Sequence, residues 1–120
     1  MRLLTATTAA LAIAAIAFAG IATPKNKVLK GSVGPGFVIS TKNAAGKKLV
    51  TTKAGTYDLT IQDKAAIHNY HLTGPGINKA LTTVGFTGKK TVTVKLKVGK
   101  YKFLCDPHAL DMKGSFKVTG

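Results

Sequence analysis

The sequence is short of several residue types, and each shortage narrows what the chain can be. It has no tryptophan, one cysteine and four acidic residues in 120, and its only arginine is Arg2. Without tryptophan, no large aromatic ring is available as a platform for a cofactor. A single cysteine excludes an internal disulfide. Because no arginine follows Arg2, the usual bidentate contacts to bases and phosphates are missing, and we expect no nucleic-acid partner.

Positive charge is abundant and almost all of it is lysine. The 18 basic residues outnumber the acidic ones enough to give a formal net charge of +14. A surface of this kind favours acidic partner proteins, an anionic membrane surface or an anionic cell-wall polymer. The alternative interpretation is a solvated lysine coat that protects the edges of β-strands from aggregation.

The first 22 residues differ in composition from the rest of the chain. Arg2 is followed by an apolar stretch rich in alanine, leucine and isoleucine that reaches the small-residue pattern AFA ending at Ala19. This layout is typical of a secretory signal peptide over residues 1–22, cleaved after Ala19 or Ala22. A retained N-terminal membrane anchor is the alternative, because the run of about 20 residues approaches the length that spans a bilayer. Residues 23–120 would form a single periplasmic or secreted domain.

Beyond this segment the apolar residues recur with period two, which indicates β-strands. TYDLTIQD, TVTVKLKV and YKFLC all alternate in this way, and turn sequences with glycine, proline or asparagine separate such runs. No stretch has the pattern of a convincing amphipathic helix. The sequence therefore predicts an all-β fold, a β-sandwich or small barrel of about seven or eight strands.

The lone cysteine lies in CDPHALDM, at the end of a predicted inner strand and the beginning of a loop. Cys105, His108 and Met112 bring a thiolate, an imidazole and a thioether into one short segment, and these groups suit copper. An exported lone thiol must be buried, paired with another chain or bound to a metal. The segment is therefore a candidate metal site.

A second histidine is selected by strand alternation in AIHNYHL. Read as a strand from Ile67 to Leu72, this segment places His68 on the same face as Tyr70 and Leu72, and it leaves His71 on the opposite, polar face. A core-facing imidazole needs a partner, so His68 is the candidate ligand and we expect His71 to be exposed. Two imidazoles, one thiolate and an axial methionine are the composition of a blue-copper site. Zinc is the rival metal, although methionine is a poor ligand for it.

At these residues the chain resembles the cupredoxin family, in particular the plastocyanin-like small blue-copper proteins. The likeness is carried by IHNYHL, by YKFLCDPHALDMKGSF and by the KAGT turn, and it extends roughly from Phe37 to Val118. It implies a Greek-key β-sandwich that binds one copper ion. Its ligands would be three equatorial residues and one axial residue: His68, Cys105 and His108, with Met112 axial.

The resemblance also assigns supporting roles around the ligands. It implies that Asn69 ties the two ligand-bearing segments together by hydrogen bonds and that Pro107 stiffens the loop. One departure concerns spacing. Three residues separate His108 from Met112, whereas plastocyanin-like loops commonly have four and amicyanin-like loops two.

These features together predict an exported, monomeric one-electron carrier with acidic redox partners. The resemblance implies that electrons enter and leave at His108, beside a docking patch formed by Ala109 and Leu110. A copper storage or delivery protein, and a cell-envelope module that binds anionic polymer or lipid, are the alternatives. We expect no enzyme, because a site with saturated ligands has no open position for a substrate and no Ser/His/Asp arrangement or carboxylate pair is apparent.

Overall fold

The computed structural model describes residues 25–120, which contain nine β-strands and one short 3-10 turn. The predicted signal peptide lies outside the described residues. In chain order the strands are β1 (Lys27–Val33), β2 (Ile39–Asn43), β3 (Thr51–Lys53), β4 (Gly55–Asp63), β5 (His71–Gly74), β6 (Ile77–Ala80), β7 (Gly88–Leu96), β8 (Gly99–Leu104) and β9 (Lys113–Thr119). The 3-10 turn covers Asp106–His108, between β8 and β9. Within residues 25–120, no helix has the length and apolar character needed to cross a membrane.

The strands form two sheets. One has the order β2-β1-β4-β7 and the other the order β3-β9-β8-β5-β6. Two pairings are parallel, β1 with β4 and β3 with β9, and the remaining pairings between these strands are antiparallel. This arrangement confirms the predicted all-β sandwich.

The core lies between the sheets and follows the alternation that the sequence shows. In β4, Tyr57, Leu59 and Ile61 are buried while the residues between them are exposed to varying degrees. Aromatic side chains fill the centre in near-parallel stacks, with ring centroids 5.8 Å apart for Tyr70 and Phe103. The side chains that face the core are therefore those that the period-two pattern predicts.

The strand count exceeds the expected seven or eight because two strands are very short. β3 has three residues and β6 has four, too few to establish a period-two pattern in sequence. The strand expected from Ile67 also begins later, at His71. His68 and Tyr70 nevertheless lie on the buried side, as the alternation predicts.

The register places the ends of several strands at one end of the sandwich. In the first sheet Val33 pairs with Asp63, and Asp63 pairs with Gly88. In the second sheet Leu104 lies between His71 and Lys113. The loops that leave these positions carry the predicted ligands, so both sheets contribute to the same site.

Candidate metal centre

Three of the predicted ligands present their donor atoms to one another at this end of the sandwich. Nδ1 of His68 lies 3.1 Å from Nδ1 of His108, and Sγ of Cys105 lies 3.6 Å from each of these nitrogens. His68 and Cys105 are buried, and His108 is partly exposed. The structure therefore brings together His68, Cys105 and His108 from segments about 40 residues apart.

The triangle formed by these atoms fits a metal ion. The point equidistant from the two nitrogens and the sulfur lies about 2 Å from each, close to the length of a bond from a metal ion to imidazole nitrogen or thiolate. Two imidazoles and one thiolate in a trigonal set are the donors of blue-copper sites. This donor set therefore fits copper.

Met112, the predicted axial ligand, lies next to these three residues. Its side chain is fully buried and packs with Cys105 and Val33 in a small cluster separate from the main core. Met112 therefore packs against the residues of the site, although three residues rather than two or four separate it from His108. The four side chains together form a site like a type 1 copper centre.

The loop after β8 is folded by its own backbone hydrogen bonds. The N–H of Cys105 donates to the carbonyl of Met112 at 3.0 Å, and the N–H of Met112 donates to the carbonyl of His108 at 2.8 Å. Pro107 lies in the first turn of the 3-10 segment, where its fixed φ angle is compatible with the fold. These bonds close the loop, so that its first, middle and last donors are held together.

His68 is held by the turn that follows β4. Its N–H donates to the carbonyl of Ala65 at 3.2 Å. Its ring lies against Gly34, where a Cβ would stand 3.0 Å from Cδ2 of His68 and where φ is 75°. A side chain at position 34 would therefore crowd the ring and strain the backbone, so the site requires glycine here.

Asn69 connects the two ligand-bearing segments, as the resemblance implied. Its Oδ1 accepts the backbone N–H of Asp106 at 2.7 Å, and its Nδ2 donates to Oδ2 of Asp106 at 2.7 Å. The residue after His68 is therefore bonded twice to the residue after Cys105. This pairing limits relative movement of the two donors.

His71 is not freely exposed as expected, because it joins the same network. Its side chain is 22% exposed, with Nδ1 3.0 Å from the Asp106 carboxylate and Nε2 2.6 Å from Oδ1 of Asn78. Burial lowers the pKa of His71, but the hydrogen bonds with Asp106 and Asn78 and the charge of Asp106 outweigh it and raise the pKa. Burial likewise opposes ionisation of Asp106, yet hydrogen bonds from His71 and Asn69 and the charge of His71 lower its pKa.

Phe37 covers the outer side of the site. Its ring meets His108 edge to face with centroids 4.9 Å apart, and it meets His68 in the same way at 5.6 Å. The sequence does not predict this contact, because Phe37 is separated from both histidines by at least 31 positions and is 62% exposed. The GPGF turn is the only local signal, and it does not identify what the ring touches.

Comparison with known proteins agrees with this geometry. The sequence profile of the copper-binding proteins of the plastocyanin/azurin family matches residues 33–119. Comparison with curated protein sequences finds no match.

Solved structures of rusticyanin are similar in fold. A single-site mutant of rusticyanin matches with a TM-score of 0.56 and 22% identity, over 81% of this chain and 80% of that chain. Reduced rusticyanin gives 0.53 and 21% over 80% and 82%, and rusticyanin from Thiobacillus ferrooxidans gives 0.50 and 23% over 81% and 79%. At such identities the likeness shows a shared fold.

Proposed function

Because the chain belongs to the plastocyanin/azurin family of copper-binding proteins, we propose that it is a one-electron carrier. The observation that best supports this proposal is the triangle formed by Nδ1 of His68, Nδ1 of His108 and Sγ of Cys105, which has sides of 3.1, 3.6 and 3.6 Å. In this proposal His68, Cys105 and His108 are the equatorial ligands and Met112 is the axial ligand. Bound copper supplies the redox chemistry by alternating between Cu(II) and Cu(I).

The residues around the site favour electron transfer because they restrict rearrangement. Asn69 and Asp106 join the two ligand segments by two hydrogen bonds, and the loop closes on itself from Cys105 to Met112. A cage that keeps its geometry in both oxidation states needs little reorganisation when the electron moves. With four protein donors, the site also has no free position for a substrate, which favours a carrier over an enzyme.

The surface near His108 provides a route for the electron. His108 is partly exposed, and Leu110 beside it is 87% exposed. Further apolar side chains at this end are also exposed, and they come from three other loops: Phe37, Val38, Ile67 and Val84. A partner that docks on these exposed apolar side chains would come within a short distance of His108. We propose acidic redox partners, because the lysines around this apolar surface would steer them.

Absorption and EPR spectra of the copper-loaded protein test the proposal. A thiolate ligand in a trigonal site should give an intense charge-transfer band in the visible range, and the protein should be blue. Cys105→Ser is the matched control, since it removes the sulfur from a buried position and should abolish the band while the sheets remain folded. A colourless copper complex of the unmodified protein would contradict the proposal.

Export is a separate part of the proposal. We infer that residues 1–22 direct the chain out of the cytoplasm, with cleavage after Ala19 or Ala22. The mass of the protein recovered from its native cells distinguishes the possibilities. A chain that begins at residue 20 or 23 supports a periplasmic or secreted protein, and an intact chain in the membrane fraction supports a retained anchor.

A further inference from the structure

Asp63 occupies a position that the strand pattern reserves for apolar residues. It continues the inward series of β4 after Leu59 and Ile61, and it is only 2% exposed. A buried carboxyl group is costly unless it is hydrogen-bonded. Packing alone therefore gives no reason for an acid at this position.

One carboxyl oxygen of Asp63 is used locally and the other is not. Oδ1 accepts the N–H of Ala65 at 3.2 Å, and the carbonyl of Ala65 in turn accepts the N–H of His68. Asp63 thus supports the turn that carries His68. Its Oδ2 is buried and has no hydrogen-bond partner within residues 25–120.

Nε2 of His68 is a donor that could pair with this unpaired oxygen. It is the other buried side-chain polar atom without a partner in the described part of the chain. Because Nδ1 of His68 faces Cys105 and His108, a metal there requires Nδ1 to be unprotonated. The neutral ring then carries its proton on Nε2, so Nε2 is a donor that lacks an acceptor.

The ring of His68 and the Ala65 N–H that Asp63 binds both border Gly34. A Cβ placed on Gly34 would lie 3.0 Å from Cδ2 of His68, the ring atom bonded to Nε2, and 3.6 Å from N of Ala65, whose N–H Asp63 binds.

We propose that Asp63 is a positioning residue for the copper site. Its Oδ2 accepts the Nε2–H of His68 through one bridging water molecule, and so holds the tautomer and the ring orientation that present Nδ1. Histidine ligands commonly donate their second N–H to such a partner. This inference rests on the proposed function, in which His68 is a copper ligand.

Two substitutions at the same position test the role of the acceptor. Asp63→Leu has a similar size and removes the acceptor, so copper affinity should fall about 10- to 100-fold. Asp63→Asn keeps one acceptor oxygen, which can serve the Ala65 N–H or His68 but not both, so its affinity should lie between those of Asp63→Leu and the unsubstituted protein. Equal losses in the two variants, or no loss in either, would overturn the proposal.

Tyr101→Phe provides a control for general destabilisation. It deletes a hydroxyl that donates to the carbonyl of Pro75 at 2.6 Å and accepts the N–H of Lys97 at 2.9 Å, near the start of β8 and away from the ligand loop that follows its last residue. This variant should unfold more easily while its copper affinity stays unchanged. An affinity loss as large as that of Asp63→Leu would mean that stability alone controls copper binding, and it would overturn the proposal.

The tautomer of His68 gives a readout that needs neither colour nor activity. Nitrogen-15 NMR of the unsubstituted apoprotein should show His68 protonated on Nε2, with that proton slow to exchange with solvent. The Nε2 proton should exchange faster in Asp63→Asn than in the unsubstituted protein, and its signal should be lost in Asp63→Leu. A proton on Nδ1, or an Nε2 proton unaffected by Asp63→Leu, overturns the proposal. A protein that is not blue but keeps this pattern contradicts the proposed function and leaves Asp63 as the partner of His68.

Discussion

Met112 is the weakest of the four proposed donors, and replacing it separates redox tuning from copper binding. Met112→Leu keeps the volume of a fully buried side chain and should cost less than about 1.5 kcal/mol of unfolding free energy. The thioether donates electron density that favours Cu(II). Its loss should therefore raise the reduction potential while the protein remains blue.

A redox titration followed in the visible band measures this effect. Leu81→Met is a suitable control, because it is also a buried, volume-conserving change but lies in the main core cluster. Its potential should match that of the unsubstituted protein. An unchanged potential in Met112→Leu would mean that Met112 does not act as the axial ligand.

Among single residues, the ligands are predictable from sequence and their supports are less so. Cys105, His108 and Met112 share one loop, and alternation is enough to choose His68 over His71. The burial of Asp63 is also predictable, because this residue falls on the inward face of TYDLTIQD. A strand pattern alone does not show which group a buried acid contacts. The contact of Phe37 with both histidines depends on the tertiary fold.

At the scale of secondary-structure elements, β8 and β9 are held together by an aromatic ring over a glycine. Phe103 lies directly opposite Gly114, and a Cβ at position 114 would overlap the Phe103 ring. Gly114→Ala should therefore destabilise the fold by about 1–3 kcal/mol through overpacking. Urea denaturation of the apoprotein measures this loss of unfolding free energy. Gly46→Ala is unsuitable as a control, because φ at this exposed position is 81° and alanine would strain the backbone there.

Gly36→Ala is the better control for Gly114→Ala. Position 36 has open space around it and its φ angle is not in the left-handed region. This variant should change the unfolding free energy by no more than about 0.5 kcal/mol. If the two alanine variants are equally stable, the ring of Phe103 can move aside without cost.

The contact between β5 and the ligand loop should depend on pH. Only the protonated ring of His71 can donate to Asp106 and to the Asn78 carbonyl oxygen at once. Because the folded-state pKa of His71 is raised, its contribution is fully present below the unfolded value of about 6.5 and is lost as pH rises through the folded value. The pKa of Asp106 is lowered, so its contribution to stability is present above its unfolded-state pKa of about 4 and is lost only as pH falls through the folded-state pKa.

Comparison of the unsubstituted apoprotein with His71→Gln isolates this contribution. The difference in unfolding free energy should be about 1 kcal/mol or less near pH 5.5 and should shrink above neutrality. A difference that stays constant between pH 5.5 and 9 would exclude an ionised His71 as its source.

Strand positions follow from the sequence better than strand partners do. Alternation predicts β4, β7, β8 and β9, because each has enough residues to show a period of two. The parallel pairing of β1 with β4 has no such signal, since it joins residues about 30 positions apart. The loops meet at one end because of this pairing, so the site depends on information that local patterns lack.

At the scale of the whole molecule, lysine is spread over both sheets with few acids to balance it. The ion pair found within residues 25–120 joins His71 to Asp106 and involves no lysine. Two lysine pairs lie directly opposite each other on neighbouring strands: Lys30 with Lys42, and Lys100 with Lys117. Like charges in this position are destabilising, so the lysine coat has an energetic cost that a bound anionic partner would relieve.

This cost can be measured at one pair. Lys117→Glu turns Lys100–Lys117 into an opposite-charge pair on the exposed face of β8 and β9, and it should stabilise the fold by about 0.2–1 kcal/mol at low salt. Lys117→Gln removes the repulsion without adding attraction and should give an intermediate value. Added salt should reduce both gains, because the screening length falls to about 8 Å at physiological ionic strength. Thermal unfolding at two salt concentrations measures the gains. If Lys117→Glu gave no gain at low salt, repulsion between lysines would not limit stability, and a solvated coat would account for them without a partner.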